Sequence, residues 1–134
     1  MGSKRILIVD DEPHLVRSLS FILAKEGYDV VNAGDGEEAL QKVSEQKPDL
    51  MFLDIMMPKM NGYEVCETLR KIPELKDIYI IILSAKGWEI DKAKALSVGA
   101  DEFMSKPFSP LDVVSKVKKA LESSTPVESG QMIN

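Results

Sequence analysis

Three apolar tetrads stand out along the chain: Ile6-Leu7-Ile8-Val9, Leu50-Met51-Phe52-Leu53 and Ile80-Ile81-Ile82-Leu83. None alternates with polar residues. Continuous runs of this length suit strands buried on both faces, as in a parallel sheet covered by helices. A buried helix segment would need about ten or more residues, and the tetrads stop well short. Between them lie stretches with helical spacing. Leu15, Leu19, Ile22 and Leu23 predict a first helix, with Pro13 near its start and Gly27 at its end. Val30-Val31 begins a weaker strand that breaks at Gly34. Asp35 then opens a helix through Ala39, Leu40 and Val43, with Glu37 and Glu38 at its positive end and Pro48 as its stop.

The second half repeats the alternation. Asn61-Gly62 marks a turn, and Val65 and Leu69 share one side of a helix from about Tyr63 to Lys71, closed off by Pro73. Ile90 to Val98 predicts a short helix ended by Gly99. Glu102-Phe103-Met104-Ser105 predicts a short strand. Ser109 can cap a last helix that starts at Pro110 and carries Leu111, Val114, Val117 and Leu121 on its core face. Strand and helix thus alternate five times, which predicts a three-layer α/β sandwich: a parallel sheet, right-handed crossovers and helices on both faces. From Ser123 onward the chain is polar, with Pro126 and Gly130, and predicts a flexible tail over residues 123–134.

Composition removes several classes of function. The chain has 134 residues, 44% hydrophobic and 29% charged, enough to close one core. Lys+Arg number 17 against 22 Asp+Glu, a net charge of −5, whereas nucleic-acid binders are usually basic; no direct nucleic-acid partner is expected. One Cys and one His exclude a disulfide framework and the usual zinc ligand sets. No apolar run approaches the roughly 20 residues of a membrane span. The four apolar residues after Lys4-Arg5 are too few for a signal peptide. The expected compartment is the cytoplasm, with no membrane partner.

In such a sheet, ligands bind beyond the carboxyl ends of the strands. The first strand ends in Asp10-Asp11, the third in Asp54, the fourth in Ser84 and the fifth in Ser105-Lys106-Pro107. Three clustered carboxylates repel one another, and a hard divalent cation such as Mg²⁺ relieves the repulsion. Lys106 adds a cation and Ser84 a donor for a phosphoryl oxygen. The set suggests phosphoryl transfer with a carboxylate as acceptor. The alternative is that these are merely polar strand ends facing water.

The motifs Ile8-Val9-Asp10-Asp11-Glu12-Pro13, Leu53-Asp54-Ile55-Met56-Met57-Pro58, Asn61-Gly62, Leu83-Ser84-Ala85-Lys86, Gly99-Ala100-Asp101 and Lys106-Pro107-Phe108 occur in this order. Together they resemble the receiver domains of bacterial two-component response regulators, over about residues 4–122. The resemblance implies a five-stranded parallel sheet of order 2-1-3-4-5, as in flavodoxin-like and CheY-like folds. It implies that Asp54 accepts the phosphoryl group from a phosphohistidine of a sensor histidine kinase or phosphotransfer protein. By the same resemblance Asp11 and Asp54 are direct Mg²⁺ ligands, Asp10 holds the metal through water, and Met56 lends its backbone carbonyl. Ser84 and Lys106 match the phosphoryl contacts, and Lys106-Pro107 matches a cis peptide. Phe103 matches the aromatic that moves with Ser84, though it lacks the hydroxyl of the Tyr found in many relatives.

The resemblance also implies a signalling switch that catalyses its own aspartyl phosphorylation and dephosphorylation, rather than an enzyme acting on other molecules. Its output would lie on the face of the fourth helix, fifth strand and fifth helix. Lys92, Asp101, Glu102, Asp112 and Lys116 resemble part of a charged dimer set there, with Ser97 and Ser123 replacing charges, so any homodimer is expected to be weak. No effector domain follows Lys106 in this sequence, as expected of a single-domain regulator or of the receiver part of a longer one.

Three rivals share the fold or part of the chemistry. A flavodoxin-type cofactor binder would need a hydroxyl- and Gly-rich phosphate loop where Asp10-Asp11-Glu12 stands. An aspartate-nucleophile phosphatase would carry Asp-x-Asp-x-Thr, and Thr is missing. A receiver-like module without phosphoryl chemistry would not need Asp11, Asp54, Ser84 and Lys106 together. Other conspicuous residues have plainer readings. His14 is expected to be exposed at a helix start, Cys66 to be packing, and one of Met56 and Met57 to be core. Trp88 either covers the rim or meets a partner.

Overall fold

The computed structural model describes residues 3–57, 59–84, 89–106 and 108–122, without the side chains of residues 89–92. The strands are β1 (Arg5–Val9), β2 (Asp29–Ala33), β3 (Leu50–Asp54), β4 (Tyr79–Ser84) and β5 (Glu102–Ser105). The helices are α1 (Pro13–Lys25), α2 (Gly36–Glu45), α3 (Gly62–Arg70), α4 (Glu89–Ser97) and α5 (Pro110–Glu122). The expected tail over residues 123–134 lies outside the described residues.

All five strands are parallel and run in the order β2-β1-β3-β4-β5. The apolar tetrads form the three central strands, and their side chains divide by parity. Leu7, Val9, Met51, Leu53, Ile80 and Ile82 pack with Ala39 and Val43 of α2, with Val65, Cys66 and Leu69 of α3, and with Ala95 of α4. Ile6, Ile8, Leu50, Phe52, Ile81 and Leu83 pack with Leu19 and Leu23 of α1 and with Val113, Val117 and Leu121 of α5. Two cores, one on each face, explain why these strands show no polar alternation.

The helix starts follow the expected chemistry. The Asp35 carboxylate accepts from Glu38 N at 2.8 Å. Asn61 and Glu64 form a reciprocal capping box at α3, and Ser109 Oγ accepts from Asp112 N at 3.1 Å. The core face of α5 differs from expectation. Val113 is buried while Leu111 is 82% exposed. Leu111 lies in the first turn, and Val113, Val117 and Leu121 form the stripe that meets the core. After α3 the chain also makes a one-turn 3-10 helix at Pro73–Leu75, where only a stop is expected.

Candidate functional site

The crossover order brings the ends of β1, β3, β4 and β5 to one rim. At the end of β3, Asp54 is 5% exposed, beside Asp10 at 2% and Ser84 at 3%. Asp11, one residue past Asp10, is exposed. Carboxylate oxygens of Asp10, Asp11 and Asp54 all lie within 4.8 Å of one another. Lys106 reaches in from the end of β5, with Nζ 2.9 Å from Asp10 Oδ2, 3.4 Å from Asp54 Oδ1 and 3.6 Å from Glu12 Oε1. Its backbone N–H donates to Ser84 O at 2.6 Å, which ties β5 to β4 at the rim.

The loop after Asp54 is held by close backbone contacts. Gly62 N–H donates to Ile55 O at 3.1 Å. A Cβ on Gly62 would run into the Asp54 carbonyl oxygen, so the start of α3 approaches β3 as closely as only glycine permits. On β1, Asp10 Oδ1 accepts from Glu12 N at 2.9 Å, which turns the chain into α1 and aims Asp11 outward.

The electrostatics follow from burial. Burial first, and then the Asp10 charge, push the Asp54 carboxyl up to about 6, against the pull of Lys106. Burial pulls the Lys106 ammonium down, but its contacts with Asp10 and Asp54 outweigh that and hold it above its ordinary value. Asp10 Oδ2 is buried without a hydrogen-bond partner among the described residues, and the Lys106 ammonium lies 2.9 Å from it. Three hard oxygen donors at this spacing, one of them open to solvent, fit Mg²⁺ with several retained waters.

Of the expected site residues, Asp10, Asp11, Asp54, Ser84 and Lys106 converge. Met56 stands at the rim with its side chain 74% exposed. Met57 packs against the core, as expected of one of the pair, and so does Cys66, whose thiol burial pushes up to about 11. Phe103 is half-buried on β5, opposite Ile82 and two positions before the Ser84–Ser105 pair. His14 is exposed. Pro107, Trp88 and the Lys92 side chain lie outside the described residues.

The expected interface charges divide. Glu102 pairs with Lys116 of the same chain at 2.8 Å, and Asp112 is exposed. Asp101, also exposed, is held within its own chain: it accepts from Arg70 Nη2 at 2.8 Å and from Ile80 N at 2.9 Å. Sequence reasoning passes over Lys94 and, at the opposite end of the sheet, Arg70. Their partners Tyr63 and Asp101 each lie 31 positions away, and no local motif marks them; Glu12, named only as part of the acidic run, meets Lys106 from 94 positions away.

Comparison with known proteins now places the fold. Residues 6–118 match the response regulator receiver domain, and the chain belongs to that family. It is 48% identical over 122 residues to the alkaline phosphatase synthesis transcriptional regulatory protein PhoP of Bacillus subtilis (strain 168). That match covers 91% of this chain and 50% of PhoP, so the chain spans about half the length of this relative. A signal receiver domain of a signal transduction histidine kinase from Syntrophus aciditrophicus superposes with a TM-score of 0.85 at 34% identity, covering 98% of this chain and 100% of that one. The chemotaxis protein CheY4 of Vibrio cholerae gives 0.84 at 30% identity, covering 90% and 100%. Receiver domains of two-component systems are phosphoryl-accepting switches that bind Mg²⁺ at an acidic pocket. Among the described residues no helix is long and apolar enough to cross a membrane.

Proposed function

We propose that Asp54 is the phosphoryl acceptor of this receiver domain and that residues 4–122 form the unit that works as the switch. The observation that carries the reading is the buried Asp54 carboxylate, with Lys106 Nζ 3.4 Å from it and two further carboxylates within 4.8 Å. An Asp54 oxygen forms the bond to phosphorus, the donor's bond to phosphorus breaks, and the leaving group takes the electron pair. At neutral pH a carboxyl near 6 is mostly ionised, so the nucleophile needs no separate base. Lys106, held cationic, moves from the carboxylates to a phosphoryl oxygen, and Ser84 contributes a hydroxyl to another. Asp11, Asp54 and the Met56 carbonyl would hold Mg²⁺ directly, and Asp10 through water. The ion supplies charge neutralisation between the carboxylates and the incoming phosphoryl oxygens.

In this reading the donor is a phosphohistidine of a histidine kinase or phosphotransfer protein, or a small acyl phosphate, and the domain works in the cytoplasm. The domain accelerates its own phosphorylation and dephosphorylation. Ser84 and Phe103 relay the new charge to the α4-β5-α5 face. The similarity to PhoP supports a transcriptional output through segments beyond a receiver. The test is intact-mass labelling with acetyl phosphate and Mg²⁺. One phosphoryl group is expected on the wild type, and none on Asp54→Asn or in excess chelator. A label that survives either treatment overturns the assignment.

A further inference from the structure

We infer that the groove between the β3–α3 loop and α4 seats the leaving group of the phosphoryl donor, and that Lys94 favours donors whose leaving group is a carboxylate. The inference rests on the reading of Asp54 as acceptor and names the substrate class that its surroundings prefer.

The groove has a volume of about 570 Å³ and is lined by Asp11, Met56, Met57, Tyr63 and Lys94 among others. It is continuous with the acceptor strand, because Ile55, Met56 and Met57 directly follow Asp54. The Lys94 ammonium does not extend into solvent alone. It sits 5.2 Å from the centroid of the Tyr63 ring, which holds the charge against the groove wall. Among the described residues that line this groove Lys94 is the only cation, and no described carboxylate pairs with it.

Lys106 serves a different purpose. Its ammonium lies against Asp10, Asp54 and Glu12 and, in the proposed reaction, meets a phosphoryl oxygen rather than the departing group. Displacement at phosphorus proceeds in line, so the leaving group departs on the side away from Asp54, at the rim. Met56 and Met57 offer an apolar shelf there, and Lys94 a positive charge at its edge.

The two simplest donors differ at this point. With an acyl phosphate, the phosphorus–oxygen bond to the acyl group breaks, and a carboxylate leaves with the electron pair and a full negative charge. With phosphoramidate, the nitrogen is protonated from solvent before the phosphorus–nitrogen bond breaks, takes the electron pair and leaves as neutral ammonia. A fixed cation beside the exit stabilises charge developing on the first leaving group and has nothing to stabilise on the second.

A second groove, on the other side of Asp11, is lined by Asp10, Asp11, Arg17, Asn32 and Gly34 among others and by no residue of the β3–α3 loop. Arg17 therefore serves as a control: a cation near the same carboxylates but outside the exit groove.

The experiment measures initial rates of Asp54 phosphorylation by intact mass, with acetyl phosphate and with phosphoramidate, at saturating Mg²⁺. For Lys94→Gln the acetyl phosphate rate should fall about threefold to fivefold, the size of effect an exposed charge has at close range. Its phosphoramidate rate should stay within about 1.5-fold of wild type on the same argument. Lys94→Arg should keep the wild-type ratio, and molar salt should erase the difference between wild type and Lys94→Gln. Equal losses with both donors, no loss with either, or the same donor bias in Arg17→Gln would each overturn the inference. Wild-type protein that takes no label from either donor would overturn the acceptor reading instead.

Discussion

Asp54 ionises at a cost. Its carboxyl is held near 6 in the fold, above the 3.8 of an unperturbed aspartate, because burial and Asp10 oppose the charge. A raised carboxyl favours the protonated form of the folded state. That contribution to stability is complete below about 3.8 and is lost as pH rises through about 6. Metal-free protein at pH 7 therefore carries the full penalty. Asp54→Asn, which cannot ionise, should be more stable than wild type in chelator at pH 7 by about 1–3 kcal/mol, at ~1.4 kcal/mol per pKa unit. The gap should close as pH falls from 7 to 4. Asp11→Ala removes one of the three repelling acids at an exposed position, and in chelator it should match or slightly exceed wild-type stability. Melting curves across pH, with chelator and with Mg²⁺, check both. Mg²⁺ should stabilise wild type far more than either variant. A large destabilisation of Asp11→Ala without metal would make that side chain structural.

At the scale of elements, Arg70 joins three segments that meet only in the folded chain. Its guanidinium donates to Gly99 O, Lys76 O and Ile78 O, each at 2.8 Å, and pairs with Asp101 at 2.8 Å. It thereby fastens the end of α3 to the approach to β4 and to the turn between α4 and β5. Gly99 holds φ +97°, and a Cβ there would press on the Arg70 side chain, so the turn and the guanidinium fit one another. Arg70→Ala should cost about 2–4 kcal/mol in urea unfolding, since it strips partners from partly buried carbonyls and from Asp101. Lys in its place should recover only part, lacking the planar fork.

None of this network is legible in the sequence, where Arg70 is one more charge at a helix end. The strands are legible because burial on both faces writes itself as uninterrupted apolar runs. Asp10, Asp54 and Ser84 are legible because each is the first polar residue after such a run, and Asp11 follows Asp10 directly. Leu111 misleads because it satisfies the helical period of α5 but stays exposed in the first turn, while Val113, one turn before Val117, takes the core position. Distant pairings such as Arg70 with Asp101, or Lys94 with Tyr63, depend on how elements pack and leave no local pattern.

At the scale of the molecule, a charge gained at Asp54 has a short route outward. Ser84 ends the neighbouring strand, pairs in register with Ser105, and lies two residues along from Phe103's partner Ile82. In the proposed switch, a hydroxyl drawn toward a phosphoryl oxygen would leave space for the half-buried Phe103 ring to fill, turning charge into a change of packing on the α4-β5-α5 face. The charges on that face limit how strongly two copies can join there. Asp101 is already engaged by Arg70, so part of its charge is spent within its own chain. Glu102 and Lys116 are engaged with each other at 2.8 Å, so a dimer can use them only by exchanging that pair across its axis. Such an exchange returns little net energy, because exposed pairs are each worth only ~0–1 kcal/mol. Sedimentation of the protein with Mg²⁺ and beryllofluoride should therefore show at most a weak monomer–dimer equilibrium, strengthened by the mimic and weakened by raising salt. Lys116→Glu should abolish it and leave beryllofluoride binding at Asp54 intact. Amide shifts should spread from Asp54 through Ser84 to Phe103 and the start of α5, and should fade before Gly99, which Arg70 holds. Shifts confined to the surroundings of Asp54, with no change in self-association, would mean that the signal leaves the domain by another face.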